Sequence, residues 1–431
     1  MEAAPSAPRP VSAARRRLRV LARGTATPDR LRRAGAVLVV GCLLAGVVSL
    51  VSGAARTDAV RDGGGRIAAL TADAAELYRS LADADAMATS GYVSGGIEPA
   101  AVRARYDGDI ARAADRMVQA AAKLPEGDPA AKPVATISTQ LPVYSGLVET
   151  ARTLNRQGLP LGQSYLDSAS RLMRSTMLPA AEELRRLQTE SLTSAYDRGD
   201  AIPYVVLIVG IAVLLAFLDI GLQERRRTNR VLNVGLLAAG AALVIALLWW
   251  IGAGLIAGGH ISRAKEHSDI ATTLDDARAA VLQARSNESL VLVARGGGTA
   301  DSGFTDQMNR VLGPDGQGGL LASVPGSDNI RQAASTWYEA HRELRKLDDN
   351  GQYTDAVASA TGKNPEGSGV AFERLDAVLG QRIDAERTAF TDAAGSASGA
   401  VTGLTTGPAL LALIAAGAAV AGIGRRVGEY R

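Results

Sequence analysis

Three histidines, one cysteine and a run of four arginines are the residues of this 431-residue chain whose chemistry could go beyond packing. His260 and His267 stand about two helical turns apart, too far to share one metal ion without other ligands, and His341 is remote from both. A semi-buried structural role is expected for His267, which falls on an apolar helical seam, and no metal site is expected. Cys42 is the single cysteine, so the chain cannot close a disulfide on itself. Val39-Val40-Gly41-Cys42 behind an Arg-rich leader has the outline of a lipoprotein processing site. The apolar run continues through Leu43, Leu44, Val47 and Val48, however, which favours a retained membrane helix. Gly296-Gly297-Gly298 follows no strand and precedes no Lys, so it is a turn and not a phosphate cradle. No Gly-Lys-Ser/Thr loop, paired-His helix motif or Ser nucleophile elbow occurs. The expectation is a protein without enzymatic activity or cofactor.

The arginines offer recognition instead of catalysis. Arg225, Arg226, Arg227 and Arg230 fall in the short stretch 223–230 between two apolar runs, and are the expected docking site for a cytoplasmic partner. Four stretches, 34–53, 202–222, 231–256 and 404–424, are long and apolar enough to cross a bilayer core of about 30 Å as helices. Asp219 is their one charge, less than a turn from the end of its span, where its carboxylate reaches the interface. The segments 1–33, 223–230 and 425–431 together carry a net charge of +12, whereas 54–201 and 257–403 carry −8. By the positive-inside rule both termini and the Arg loop belong in the cytoplasm of a bacterial cell, with two large domains outside the plasma membrane. The net charge of +3 thus reports topology and contact with anionic lipids, with no nucleic-acid partner implied. Residues 1–33 read as a disordered Arg-rich tail with Pro5, Pro8, Pro10 and Pro28.

The stretches 54–201 and 257–403 look like two copies of one unit. An offset of 193 places Leu81, Asp83, Ala84 and Ala86 on Leu274, Asp276, Ala277 and Ala279, and Tyr144, Leu154 and Gly158 on Trp337, Leu347 and Gly351. In the first copy Ile67, Leu70, Ala74, Leu77, Leu81, Ala84 and Ala88 step by 3 and 4, one apolar seam along a helix. Strand alternation is absent. Breakers at Gly95-Gly96, Pro125–Pro133 and Gly158-Leu159-Pro160, and at matching places in the second copy, divide each into about four helices. The fold class is therefore all-α: four transmembrane helices and two duplicated extracytoplasmic four-helix-bundle domains. Residues 55–94 are expected to form one long helix. Pairs such as Gly235 and Ala239, or Ala418 and Gly422, favour close helix contact among the spans. The charges of the outer helices, such as Glu182 with Arg185 and Arg186, read as a solvated face, although a small-molecule site between helices would find its anchors there. The Gly-rich stretches 296–303 and 313–326 make the second copy the expected partner-facing one.

This layout resembles the actinobacterial GlnX-type four-span membrane adaptor. The resemblance rests on the Arg-rich tail before residue 34, the twin Cys-free helical domains, Gln223-Glu224-Arg225-Arg226-Arg227 and the Arg425-Arg426 tail. It is architectural and transfers no site residue. It implies a sensory adaptor that relays the state of an extracytoplasmic amino-acid-binding lipoprotein to a soluble cytoplasmic Ser/Thr kinase, protein kinase G. An envelope structural protein displaying helical bundles, or a direct small-ligand sensor, would share the same features. A homo-oligomer is compatible with the pattern. Four spans without polar lining residues argue against a transporter.

Overall fold

The structure, a computed structural model, describes residues 27–200, 204–228, 233–295 and 300–428. Among these the regular structure is entirely helical, in agreement with the all-α expectation. Helix α1 (Thr27–Asp62) passes through a π-helical turn (Gly63–Ile67) directly into α2 (Ala68–Val93). Helices α3 (Ala100–Lys123) and α4 (Ala131–Arg156) follow. Then α5 (Leu161–Leu172) runs through a second π turn (Met173–Met177) into α6 (Leu178–Asp200). Gly158 at φ 71° supplies the left-handed residue that ends α4, and Pro160 then opens α5. Helix α7 covers Tyr204–Thr228, and α8 is a single helix of 60 residues from Val234 to Val293. The remainder comprises α9 (Ala300–Leu312), a 3₁₀ turn (Leu320–Ser323), α10 (Asp328–Asp349), α11 (Tyr353–Ala360), α12 (Ser368–Ala400) and α13 (Gly407–Gly428). By the 193-residue offset the eight-residue α11 falls on the start of α5, but a loop separates it from α12, whereas α5 runs through its π turn into α6.

The chain divides into two compact units. The first holds Met1–Asp58, Asp200–Ala257 and Gly399–Arg431, and with them the four helices long and apolar enough to cross a membrane. Its core joins Leu38 and Cys42 of α1, Val213 and Phe217 of α7, Ala239 and Leu243 of α8, and Ala415 and Ala419 of α13. Small residues set the closest approach. A Cβ on Gly235 would lie 2.5 Å from Gly422 Cα and 2.7 Å from the Ala418 carbonyl oxygen. Asn233 stitches the same contact, donating from Nδ2 to the Gly422 carbonyl at 3.1 Å while its Oδ1 accepts the Gly235 amide. Large apolar side chains such as Val37, Val40, Ile208, Leu237 and Leu413 point outward from this unit, as a lipid-facing surface requires. Asp219 lies near the end of α7, exposed, and accepts a hydrogen bond from Gln223 Nε2 at 2.7 Å.

The second unit holds Ala59–Gly199 and Gly258–Ser398, so both halves that the sequence assigns to separate bundles lie in one body. They share a single apolar core. Leu77, Leu81, Tyr144, Met173 and Leu184 from the first half belong to the same cluster as Leu274, Val281, Phe304, Trp337 and Phe372 from the second. The physical reason is visible along α2 and α8. Residues 82–91 and 279–282 are buried on every side, as are 284–292, so these helices have no solvated face there and must be enclosed by helices of both halves.

Candidate functional site

The buried stretches of α2 and α8 are unusually polar, and most of their polar groups have specific partners. Asp85 accepts hydrogen bonds from Ser170 Oγ at 2.8 Å and Ser286 Oγ at 2.8 Å, with the Tyr144 hydroxyl at 3.4 Å. Ser90 and Ser289 meet at 3.1 Å, Gln283 donates to the Tyr78 hydroxyl, and Arg174 donates to Asn287 Oδ1. Four of these six contacts, those of Ser286, Ser289, Gln283 and Asn287, join residues about 200 positions apart or bridge the two halves. Arg105 of α3 extends the pattern by pairing with Asp83 at 3.0 Å, Asp376 at 2.7 Å and Glu373 at 3.0 Å. Arg278 takes the other oxygen of Asp376 at 2.6 Å. Burial alone would raise the Asp376 carboxyl, but these two guanidinium groups overcome it and hold the acid below its usual range.

Glu288 carries a second buried group. It is fully buried and receives Ser368 Oγ and Arg285, with His341 Nδ1 at 3.0 Å. Trp337 Nε1 donates to Ser368 Oγ at 2.9 Å, and Arg285 also donates to the Ala360 carbonyl, so every member of the group is tied to another helix. His341 stacks on Phe304 with ring centroids 3.5 Å apart, and its Nε2 faces Asp301 at 3.4 Å. Desolvation pushes the Glu288 acid upward, but the His341 hydrogen bond and the Arg285 charge outweigh it and set its pKa at about 2. Asp109 behaves in the opposite way. Burial, then the charge of Asp83, push its carboxyl up to about 7 despite the Arg112 ion pair. Asp83 Oδ1 and Asp109 Oδ2 are both buried without a donor, so a proton on this carboxyl pair supplies the missing hydrogen bond.

Nearer the ends of the second unit, a cleft of 290 Å³ opens between four helices. One wall is the first π turn and the start of α2, contributing Gly64, Gly65, Ala68, Ala69 and Ala72. Arg185 and Thr189 come from α6, Ser268, Thr272 and Asp275 from α8, and Arg387 and Phe390 from α12. The π turn packs closely on its other side: a Cβ on Gly64 would meet Ala394 Cβ at 3.3 Å and one on Gly63 the Tyr196 ring at 3.3 Å, whereas Gly65 faces open space. Asp275 receives Arg387 Nη2 on both oxygens, at 3.1 and 3.0 Å, while Arg185 is held by Glu182 and Asp276.

The residues singled out from sequence are placed as follows. Arg225, Arg226 and Arg227 lie in the last turns of α7, but their side chains, and Arg230 altogether, fall outside the described residues, as do residues 296–299 of the Gly-rich loop. His267 is half-buried and bonds Glu386 at 2.7 Å, while His341 belongs to the Glu288 group. No cluster of metal-ligating side chains occurs among the described residues. Arg185 is a correction to the solvated-face reading: it is largely covered and pairs across the halves with Asp276. Sequence reasoning missed Asp83, Asp85, Asp109 and Glu288. The available signal was the stretch Leu81–Gly91, where small residues surround the helix on all sides and leave no broad polar face.

An all-α chain with four helices long and apolar enough to cross a membrane fits the class of helical membrane proteins. Residues 59–197, the first half of the second unit and about a third of the chain, match the family model of the actinobacterial sensor domain. No curated protein and no solved structure matches the chain. The family match supports a sensing or signalling role and an actinobacterial protein.

Proposed function

We propose that this protein is a non-enzymatic transmembrane signal adaptor, relaying the state of an extracytoplasmic amino-acid-binding lipoprotein to a soluble cytoplasmic Ser/Thr kinase. The observation that carries the reading is the sensor-domain match at 59–197 on a chain whose α8 runs unbroken from an apolar stretch at Val234 to the buried polar group at Glu288. A continuous helix is a physical element through which a change in packing at one end biases the other. In this reading the two halves of the second unit arose by duplication and lie outside the membrane. Both termini and the Arg225–Arg230 stretch then face the cytoplasm, where the arginines dock the kinase and contact anionic lipid.

The test is crosslinking and affinity capture of the full chain from native membranes, comparing wild type with the triple variant Arg225→Ala, Arg226→Ala, Arg227→Ala. Recovery of a binding lipoprotein and a Ser/Thr kinase by wild type, with loss of the kinase alone in the variant, is the expected result. Recovery of cell-wall machinery only would replace the adaptor with an envelope structural protein. Because these arginines also help to set topology, orientation is read in parallel by protease accessibility. A second reading, direct sensing of a small molecule, is favoured by the cleft between α2, α6, α8 and α12.

A further inference from the structure

The cleft has the size, wall chemistry and free donors of a small-molecule site. At about 30 Å³ per water, its 290 Å³ corresponds to roughly ten waters, or an organic molecule of about ten non-hydrogen atoms. Most of the wall is methyl, methylene or ring: the Ala and Gly face of α2, Ala271 and Leu192, with the Phe390 ring at one side. An apolar body therefore suits it better than a sugar or a polyol.

The polar groups are few and converge. Arg387 spends only Nη2 on Asp275, and its Nε and Nη1 have no protein partner among the described residues. Each of those groups can give one charge-assisted hydrogen bond. They diverge on opposite sides of Cζ in the guanidinium plane, because the N–H beside Nε belongs to Nη2, so a carboxylate takes one of them and completes its shell from a neighbouring hydroxyl. The hydroxyls of Thr189 and Ser268 likewise donate to no protein acceptor among the described residues, whereas those of Thr71, Thr272 and Thr391 are satisfied by helix carbonyls. Of the three charges on the wall, two are guanidinium groups and one is a carboxylate, and Glu182 and Asp276 engage Arg185 from beyond it. Arg387 is thus the cation with donors to spare. The π turn contributes as well, since a π turn rotates the residues of a helix off their α-helical register and recurs where a helix lines a site.

We propose that the cleft binds a small monocarboxylate with a compact apolar body, its carboxylate accepting one free N–H of Arg387 and the Thr189 or Ser268 hydroxyl, and its body against Ala69, Ala72 and Phe390. The ligand joins four helices drawn from both halves, so occupancy stabilises one arrangement of the halves over others. This inference rests on the sensing reading above and gives it a direct input.

Phenylacetate, with ten non-hydrogen atoms, is the probe, and neutral phenylacetamide is its isostere. Titration calorimetry is run on the full chain in lipid nanodiscs, against empty nanodiscs. The expected result is saturable phenylacetate binding, about tenfold or more tighter than phenylacetamide, as a charge-assisted hydrogen bond from Arg387 predicts. Ala72→Trp, which fills the cleft from an exposed position and leaves the Arg387–Asp275 pair intact, should weaken binding by about tenfold or more, as should Arg387→Gln. Helical content and melting temperature establish that each variant is folded, and Ala72→Trp keeps the test open if Arg387→Gln is not. No binding above empty nanodiscs, equal binding of the amide, or wild-type affinity in a folded Ala72→Trp variant would overturn the site. Partner capture without phenylacetate binding removes the site and leaves the adaptor standing, whereas binding without partners does the reverse.

Discussion

The proton on the Asp83–Asp109 pair can be isolated with one substitution, Asp109→Asn. Asp109 is fully buried on α3, facing Asp83 on α2, with Arg105, Arg112 and the Arg79–Glu76 pair as the neighbouring charges and Asp376 and Arg278 behind Arg105. In the unfolded chain the Asp109 acid titrates at its ordinary 3.8, and in the folded chain at about 7. Between those values the folded state holds a proton that the unfolded state has released. Stability therefore falls as pH rises, by about 1.4 kcal/mol per unit and about 4 kcal/mol in all, and is flat with respect to this group above about pH 7. An Asn amide donates to Asp83 Oδ1 as the protonated acid does, but does not titrate. Glu288 and Asp376 are held low and keep their charge across this window, and groups untouched by the substitution cancel in the difference. Unfolding free energies of wild type and variant, followed by circular dichroism from pH 4.5 to 7.5, should thus diverge steadily in favour of the variant. Infrared spectroscopy should show a protonated-carboxyl band in wild type that titrates near neutrality and is missing from the variant. Parallel stability curves, offset by a constant, would refute the shared proton.

Two further substitutions probe other parts of the molecule. Glu288→Ala leaves Arg285 and His341 buried without their carboxylate, and should cost about 3–5 kcal/mol in denaturant unfolding. Glu183→Ala, at a fully exposed pair, serves as the silent control. Because the Glu288 acid is depressed to about 2, its contribution is present above about pH 4.5 and fades as pH falls towards 2, a window below that of Asp109. Gly235→Val places a Cβ against Gly422 Cα and should lower the melting temperature in detergent. Gly240→Val, where a Cβ meets nothing within 4 Å, should not, and an equal loss in both would deny the close packing of α8 and α13.

Much of the helical scaffold is legible in the residue pattern. Each apolar stretch carries its own length signal, and the 3/4 stepping from Leu70 to Ala88 leaves no doubt about helix type in α2. Gly158-Leu159-Pro160 marks the α4–α5 corner by conformational necessity. What periodicity does not carry is compensation. Asp83, Asp85 and Glu288 look like solvated positions until their partners arrive from Arg105, Ser286 and His341, distant in sequence. The same holds for Arg185, whose local partner Glu182 masks its contact with Asp276. The long helix expected over 55–94 is continuous to Val93, but its π turn at Gly63–Ile67, where Tyr196 and Ala394 pack close to Gly63 and Gly64, is not legible in the apolar spacing. The cleft is invisible for a related reason, since its walls come from four helices in two halves.

The seam between Ser90 and Ser289 also sets a clock on synthesis. Those residues are 199 positions apart, and two long apolar helices, α7 and the start of α8, are made between them. At about 5–20 residues per second, the ribosome needs on the order of 10–40 s to deliver Ser286 to the waiting Asp85. During that interval the newborn first half presents an apolar face and an unsatisfied buried acid to whatever surrounds it. The segment that matches the sensor-domain model, 59–197, thus does not enclose its own core. Its natural chaperone is the second half of its own chain.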